Sequence, residues 1–163
     1  MHVKGRNKKE MAILQNFIDR KQNVFADEAA DWKTAIHMAC TPIVSDGTVS
    51  EAYPDEIVRC VEKYGPYIVL IPGVAMPHSQ EGGDMVHKTT ISFMKLQKPV
   101  VFDSEDEDSY ADLFFTLASC NPEEHLKEMS ELSEMLQNEE LVEDLHKIKD
   151  LDGLQAIADK YNN

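Results

Sequence analysis

The chain has 163 residues, of which 42% are hydrophobic and 28% charged, a composition typical of one soluble globular domain and not of a disordered chain. Its formal net charge of −14 argues against nucleic acid and anionic membrane surfaces as partners, because both attract basic proteins.

The N-terminal part is predicted to hold a tail, a helix and a short strand. Residues 1–10 are polar and basic, which is typical of a disordered tail, so the folded domain is expected to span 11–163. Apolar residues at helical spacing predict a helix over about 10–20. The segment Asn23–Ala26 is a candidate strand.

Two further helices are predicted before the centre of the chain. Asp31 is a candidate N-cap for the first, which should end before Pro42 or within two residues after it. The second is expected to begin at Ser50, with Pro54 near its start, and to end at Gly65.

The stretch Tyr64–Gln80 is the most informative part of the sequence. Its apolar run Tyr67–Ile71, bounded by Gly and Pro on both sides, predicts a short buried strand. A stub of extended chain then leads to Pro77, which stiffens the backbone before His78. A loop histidine is usually a solvated surface residue, but this rigid mount favours a reactive one.

Beyond His78 the pattern alternates between strands and loops. Residues 86–96 predict a strand that Pro99 should end, and the run 103–108, with five acids in six residues, is typical of a solvated loop. A carboxylate of that run could also contact a partner. Tyr110–Ser119 predicts a strand buried on both faces.

The C-terminal third is predicted to be helical. Asn121 and Pro122 are strong start signals for one helix, and two more are expected near 139–147 and 151–161. Helices interleaved with strands indicate a single-domain α/β fold, a three-layer-like sandwich of a mixed β-sheet with helices on its faces.

The motif Gly73-Val74-Ala75-Met76-Pro77-His78 resembles the active-site signature of enzyme IIA components of the phosphoenolpyruvate-dependent sugar phosphotransferase system, in the mannitol/fructose-type branch. The longer string from Tyr64 is most similar to the ascorbate-type subgroup. The resemblance covers roughly 11–160 and implies that His78 is the phosphorylated nucleophile. It also implies a cytoplasmic phosphotransferase that takes part in carbohydrate uptake and needs no cofactor.

A second histidine, His125, lies 47 residues after His78, in the first turn of the helix that begins after Asn121. As a residue on its own, it could equally be a core histidine. A helix N-terminus favours a bound phosphoryl group, and members of the family carry a second histidine on a downstream helix. The resemblance therefore implies that His125 stabilises the transferred phosphoryl group.

Relatives in the ascorbate-type subgroup often carry a basic residue soon after the phosphorylated histidine, whereas this chain has Ser79 and Gln80. The charge of the phosphoryl group would then be met by backbone N–H groups, Ser79, His125, or a more distant base such as Arg59. Ser79 and Arg59 are therefore the candidate phosphate-binding residues.

The resemblance implies three partners: the phosphocarrier protein as donor, a cysteine of a IIB component as acceptor, and indirectly a IIC membrane permease. One alternative is a regulatory module of the same fold, in which phosphorylation is a signal and not a transport step. A metal site built from His78, His125 and an acid is a third hypothesis, but no ligand spacing supports it.

The three cysteines, Cys40, Cys60 and Cys120, are widely spaced in apolar stretches and are expected to be free, buried thiols in a reducing compartment. The basic start is not followed by a continuous apolar segment, so a signal peptide is not expected. No apolar run is long enough to span a bilayer. The expected location is therefore the cytoplasm, without direct membrane insertion.

Overall fold

The apolar stretch near Tyr110 forms the centre of a five-stranded mixed sheet. A computed structural model describes residues 12–161, and the predicted tail at 1–10 lies outside that range. The strands are Asn23–Ala26 (β1), Val69–Ile71 (β2), Gly73–Ala75 (β3), Thr90–Val101 (β4) and Tyr110–Ala118 (β5). They follow the order β1-β4-β5-β3-β2 across the sheet. The pairs β1–β4 and β3–β5 are parallel, whereas β4–β5 and β2–β3 are antiparallel.

Six described helices cover the two faces of this sheet. They are α1 (12–19), α2 (Trp32–Ser45), α3 (Tyr53–Tyr64), α4 (Pro122–Leu136), α5 (Glu139–Lys147) and α6 (Leu151–Lys160). Alternate residues of β5 face opposite layers, so Phe115 packs with α1, α4, α5 and α6, while Phe114 packs with α2. This arrangement confirms the predicted single-domain sandwich. No helix within residues 12–161 is long and apolar enough to cross a membrane.

The strand predicted over Tyr67–Ile71 is only partly correct. The described strand covers Val69–Ile71 and forms an edge of the sheet, and Ile71 is 44% exposed. The buried strand is the short β3 that follows it. The turn between the two strands depends on Gly73, which has a positive φ of 91°. Any other residue here would place its Cβ atom only 2.8 Å from the His146 ring.

Pro42 and Pro99 both lie inside an element, and each element ends later than expected, α2 by one residue. Helix α2 continues past Pro42 to Ser45, because the loss of one N–H falls in its last turns and Ile43 is fully buried beyond it. Strand β4 continues past Pro99 to Val101, because the pairing with β5 shifts register between Lys95 and Val100, and a proline is tolerated at such an irregularity.

Two smaller predictions are also wrong. Helix α3 begins at Tyr53 and not at Ser50, which contributes only a backbone carbonyl to the preceding turn. Cys40 and Cys60 are buried free thiols, as expected, but the free Cys120 is exposed, because it lies in the connection between β5 and α4.

Candidate active site

The two predicted site histidines follow the ends of neighbouring parallel strands. His78 comes shortly after β3, and His125 lies in the first turn of the helix that follows β5. Leu117 donates its backbone N–H to the Pro77 carbonyl at 2.9 Å, which holds the segment after β3 beside β5. Because parallel strands end at the same edge, the sheet brings both histidines together where α/β proteins commonly bind ligands.

The backbone and a tyrosine fix the ring of His78. Its Nδ1 lies 2.6 Å from the Met76 carbonyl oxygen, which can only accept, so the ring proton is on Nδ1 and Nε2 keeps a lone pair. Tyr67 donates its hydroxyl to the His78 carbonyl, and the two rings form a T-shaped contact with their centroids 5.1 Å apart. The imidazole therefore has one tautomer and one free nucleophilic nitrogen.

Burial also sets the charge of His78. The residue is only 6% exposed, and this desolvation lowers the pKa of its imidazole below the ordinary value of 6.5. The Met76 carbonyl opposes this shift, while His125 lowers the pKa further. A neutral imidazole with a free nitrogen near neutral pH is what nucleophilic attack requires.

His125 is positioned by the capped start of α4. Asn121 accepts a hydrogen bond from the backbone N–H of Glu124 at 2.9 Å, and Pro122 occupies the first turn, as predicted. The His125 ring lies 5.2 Å from the His78 ring, centroid to centroid. Partial burial lowers the pKa of His125 as well, so both rings are neutral near pH 7.

A cavity of about 350 Å³ opens between the two histidines. Its walls are formed by the segment 78–83, the end of β5 and the start of α4. No lysine or arginine of the described chain lines it. An anion bound here would therefore be met by polar hydrogens and by the N-terminus of α4, which attracts anions.

Ser79 and Arg59 belong to a hydrogen-bonded network beside the cavity. Ser79 lines the cavity, and its Oγ accepts backbone N–H groups from Glu81 at 3.1 Å and Gly82 at 2.7 Å. Arg59 lies outside the lining and is held by two contacts with Glu56, at 2.8 and 2.9 Å, and one with Glu81 at 2.5 Å. The structure therefore places Ser79 in the cavity with the histidines. Arg59 is paired with the carboxylates of Glu56 and Glu81 and does not line the cavity.

Sequence reasoning missed two side chains next to His125. Ser119, directly after β5, places its Oγ 3.4 Å from His125 Nδ1 and 2.6 Å from a carboxylate oxygen of Glu128. Glu128 is 7% exposed. The available signal was the spacing, because an acid three residues after a histidine shares its helix face.

Within residues 12–161 no group of three His, Cys, Asp or Glu side chains is placed to hold a metal ion.

Comparisons with known proteins agree on one family. Residues 16–161 match the family described as "Phosphoenolpyruvate-dependent sugar phosphotransferase system, EIIA 2". The ascorbate-specific PTS system EIIA component of Mycoplasma pneumoniae is 33% identical over 135 residues, which cover 82% of this chain and 83% of that protein.

Solved structures give the same result. The crystal structure of IIA mannitol from Escherichia coli superposes with a TM-score of 0.72 at 27% identity, covering 85% of this chain and 96% of that one. The complex of enzyme IIA-Mtl with phosphorylated enzyme IIB-Mtl from Escherichia coli contains a chain that matches with a TM-score of 0.73 at 26% identity, covering 86% and 95%.

Proposed function

Because the chain belongs to the type-2 enzyme IIA family of the phosphoenolpyruvate-dependent sugar phosphotransferase system, we propose that it accepts a phosphoryl group on Nε2 of His78. Members of this family are phosphotransferases that carry phosphate between proteins in sugar uptake. The observation that carries the assignment is the contact of His78 Nδ1 with the Met76 carbonyl, which leaves Nε2 as the nucleophile. The matched family region, together with the described residues, supports one domain within the predicted span 11–163.

The transfer proceeds by in-line displacement. Nε2 of His78 attacks the phosphorus of the donor's phosphohistidine, a new N–P bond forms as the old one breaks, and the donor nitrogen leaves with its electron pair. The Met76 carbonyl stabilises the positive charge that develops on the His78 ring. His125 donates a hydrogen bond to the phosphoryl group, so catalysis rests on positioning and charge stabilisation.

Ser79 and Arg59 are the further phosphate-binding residues of this proposal. Ser79 lines the cavity, and its backbone N–H has only a long contact of 3.4 Å, with the Tyr53 hydroxyl. To reach the phosphoryl group, Arg59 must release Glu81. The dianionic phosphoryl group then replaces that carboxylate at the guanidinium. Glu81 is partly exposed, so exchanging one anion for another at the guanidinium costs little.

The donor is the phosphocarrier protein, and the acceptor is a cysteine of a cognate IIB component that serves a IIC permease. The matched complex with a phosphorylated IIB supports the acceptor. The similarity to an ascorbate-specific relative supports ascorbate-type substrates for the whole system. A regulatory module would accept phosphate equally well, so donation to IIB is the step that separates the two functions.

The test is incubation with phosphoenolpyruvate, enzyme I and the phosphocarrier protein. We expect one acid-labile phosphate per chain, no labelling of His78→Ala, and normal labelling of the control His87→Ala, whose ring is exposed. Label that persists on His78→Ala would place the nucleophile elsewhere. Purified IIB is then added, and label that stays on this chain would favour the regulatory alternative.

A further inference from the structure

A buried carboxyl group is linked to His125 through one serine hydroxyl. Glu128 is on α4, and its Oε1 is 2.6 Å from Ser119 Oγ. Ser119 Oγ is in turn 3.4 Å from Nδ1 of His125, on the opposite side of that ring from Nε2. These three groups form a continuous row that ends at the imidazole.

The Ser119 hydroxyl has one proton, so it can donate to only one of its two neighbours. If Glu128 is ionised, Ser119 donates to it and accepts from Nδ1–H of His125, which leaves Nε2 of that ring without a proton. If Glu128 is protonated, it donates to Ser119, and Ser119 donates to Nδ1. The single proton of neutral His125 is then on Nε2.

We propose that Glu128 is a positioning residue: in its protonated form it turns the Ser119 hydroxyl toward Nδ1 of His125 and so keeps the His125 proton on Nε2. This inference rests on the proposed function, because only a protonated Nε2 can donate a hydrogen bond to a phosphoryl oxygen. The other tautomer would present a lone pair to those oxygens and repel them.

The surroundings of Glu128 favour its protonated form. Burial raises the pKa of this carboxyl to about 8; Glu124 and Glu131 act in the same direction, and the Ser119 hydroxyl opposes them. Arg20 and Lys127 line the same cavity as Glu128, but neither forms an ion pair with it in the described part of the chain. The titratable and charged groups around the carboxyl are Glu124, His125, Lys127 and Glu131 on α4, Arg20 after α1, and Tyr53 on α3.

The two histidines of the site therefore have opposite tautomers in this arrangement. His78 keeps its proton on Nδ1, because a backbone carbonyl can only accept. His125 keeps its proton on Nε2, because a protonated carboxyl drives a serine to donate. One ring provides the lone pair that attacks, and the other provides the hydrogen bond that stabilises the transferred group.

The direct test measures the His125 tautomer in the unphosphorylated protein by ¹⁵N NMR of the imidazole nitrogens. At pH 7 we expect the proton on Nε2, and at pH 9.5 on Nδ1. Glu128→Gln keeps a donor to Ser119 at every pH, so it should hold the proton on Nε2 at both values. The control is Glu123→Gln, which removes an exposed acid from the same helix and should switch as wild type does.

A wild-type tautomer that does not change with pH, or a change that persists in Glu128→Gln, would overturn the proposal. A kinetic measurement adds an independent readout. The rate of phosphate acceptance by Glu128→Gln, relative to wild type in the same mixture, should rise at least about tenfold between pH 7 and pH 9.5, a modest figure for one preorganised donor. A constant ratio would contradict the inference.

The proposed phosphoryl transfer and the proposed role of Glu128 would fail in different ways. If no chain takes label at any pH, the proposed phosphoryl transfer is wrong while the NMR result still decides the tautomer. If wild type takes label at His78 but its His125 tautomer does not respond to Glu128, the transfer function stands and the positioning role falls.

Discussion

The buried Glu128 should make the stability of the protein depend on pH in a way that one substitution removes. The folded chain holds the carboxyl proton up to a pKa of about 8, whereas an unfolded glutamate releases it near the ordinary value of 4.5. Between these values the unfolded state binds fewer protons, so the free energy of unfolding falls as the pH rises. The contribution is fully present below about pH 4.5 and is lost progressively toward pH 8.

The magnitude follows from the same two values. Each unit of pKa difference is worth about 1.4 kcal/mol, so wild type should lose about 3 kcal/mol from this group between pH 5 and pH 7.5. Glu128→Gln has no charge to desolvate, and its amide can still bond to Ser119. The free energy of unfolding of the variant minus that of wild type should therefore be about 3 kcal/mol larger at pH 7.5 than at pH 5, whatever its value at pH 5.

The assay is urea unfolding at both pH values with linear extrapolation, which suits a single domain of this size. Histidines with lowered pKa values, such as His78, make the free energy of unfolding rise with pH in the acid range. Both proteins contain these histidines, so this contribution cancels when the variant is compared with wild type. Glu123→Gln is the matched control and should track wild type. Equal differences at pH 5 and pH 7.5 would refute the burial argument.

Three further predictions concern the site. His125→Ala should fold and still be labelled at His78, but accept phosphate about a hundredfold more slowly in rapid-quench labelling, the usual loss for one preorganised donor; a wild-type rate would return it to a structural role. Tyr67→Phe removes the donor to the His78 carbonyl and should cost about 1 kcal/mol in urea unfolding, and a variant as stable as wild type would contradict this. Gln80→Arg places a guanidinium on the cavity wall and should shift the phosphorylation equilibrium toward this chain about tenfold. If it does not, Arg59→Ala in the same assay shows whether that residue already fills the role.

Features that depend on a few adjacent residues were predictable from the sequence. The start of α4 is one example, because Asn121 and Pro122 act on the backbone within three residues of themselves. The extended segment before His78 is another, because Pro77 restricts its neighbour whatever the rest of the fold does. The proximity of His78 and His125 followed from the family resemblance and not from spacing alone.

Features that depend on which element lies alongside were not predictable. The apolar run ending at Ile71 has the composition of a buried strand, but it lies at the sheet edge, and its burial depends on a neighbour that the sequence does not reveal. Pro99 is tolerated because the pairing partner changes register at that point. Glu128 is an acid on a helix face that also carries Leu132, and only the packed fold shows that Ser119 lies within reach.

The hydrogen-bond partners of the two histidines differ in a way that decides which of them can respond to its surroundings. A backbone carbonyl has no proton to give, so the tautomer of His78 is the same at every pH at which the ring is neutral. A hydroxyl can donate or accept, so the tautomer of His125 depends on a group one step further away. The nucleophile is thus fixed by the main chain, which no side-chain substitution alters directly. The tautomer of the stabilising histidine, His125, depends on side chains. Substitutions at Ser119 or Glu128 should therefore change how strongly the phosphoryl group is bound without changing which atom carries it.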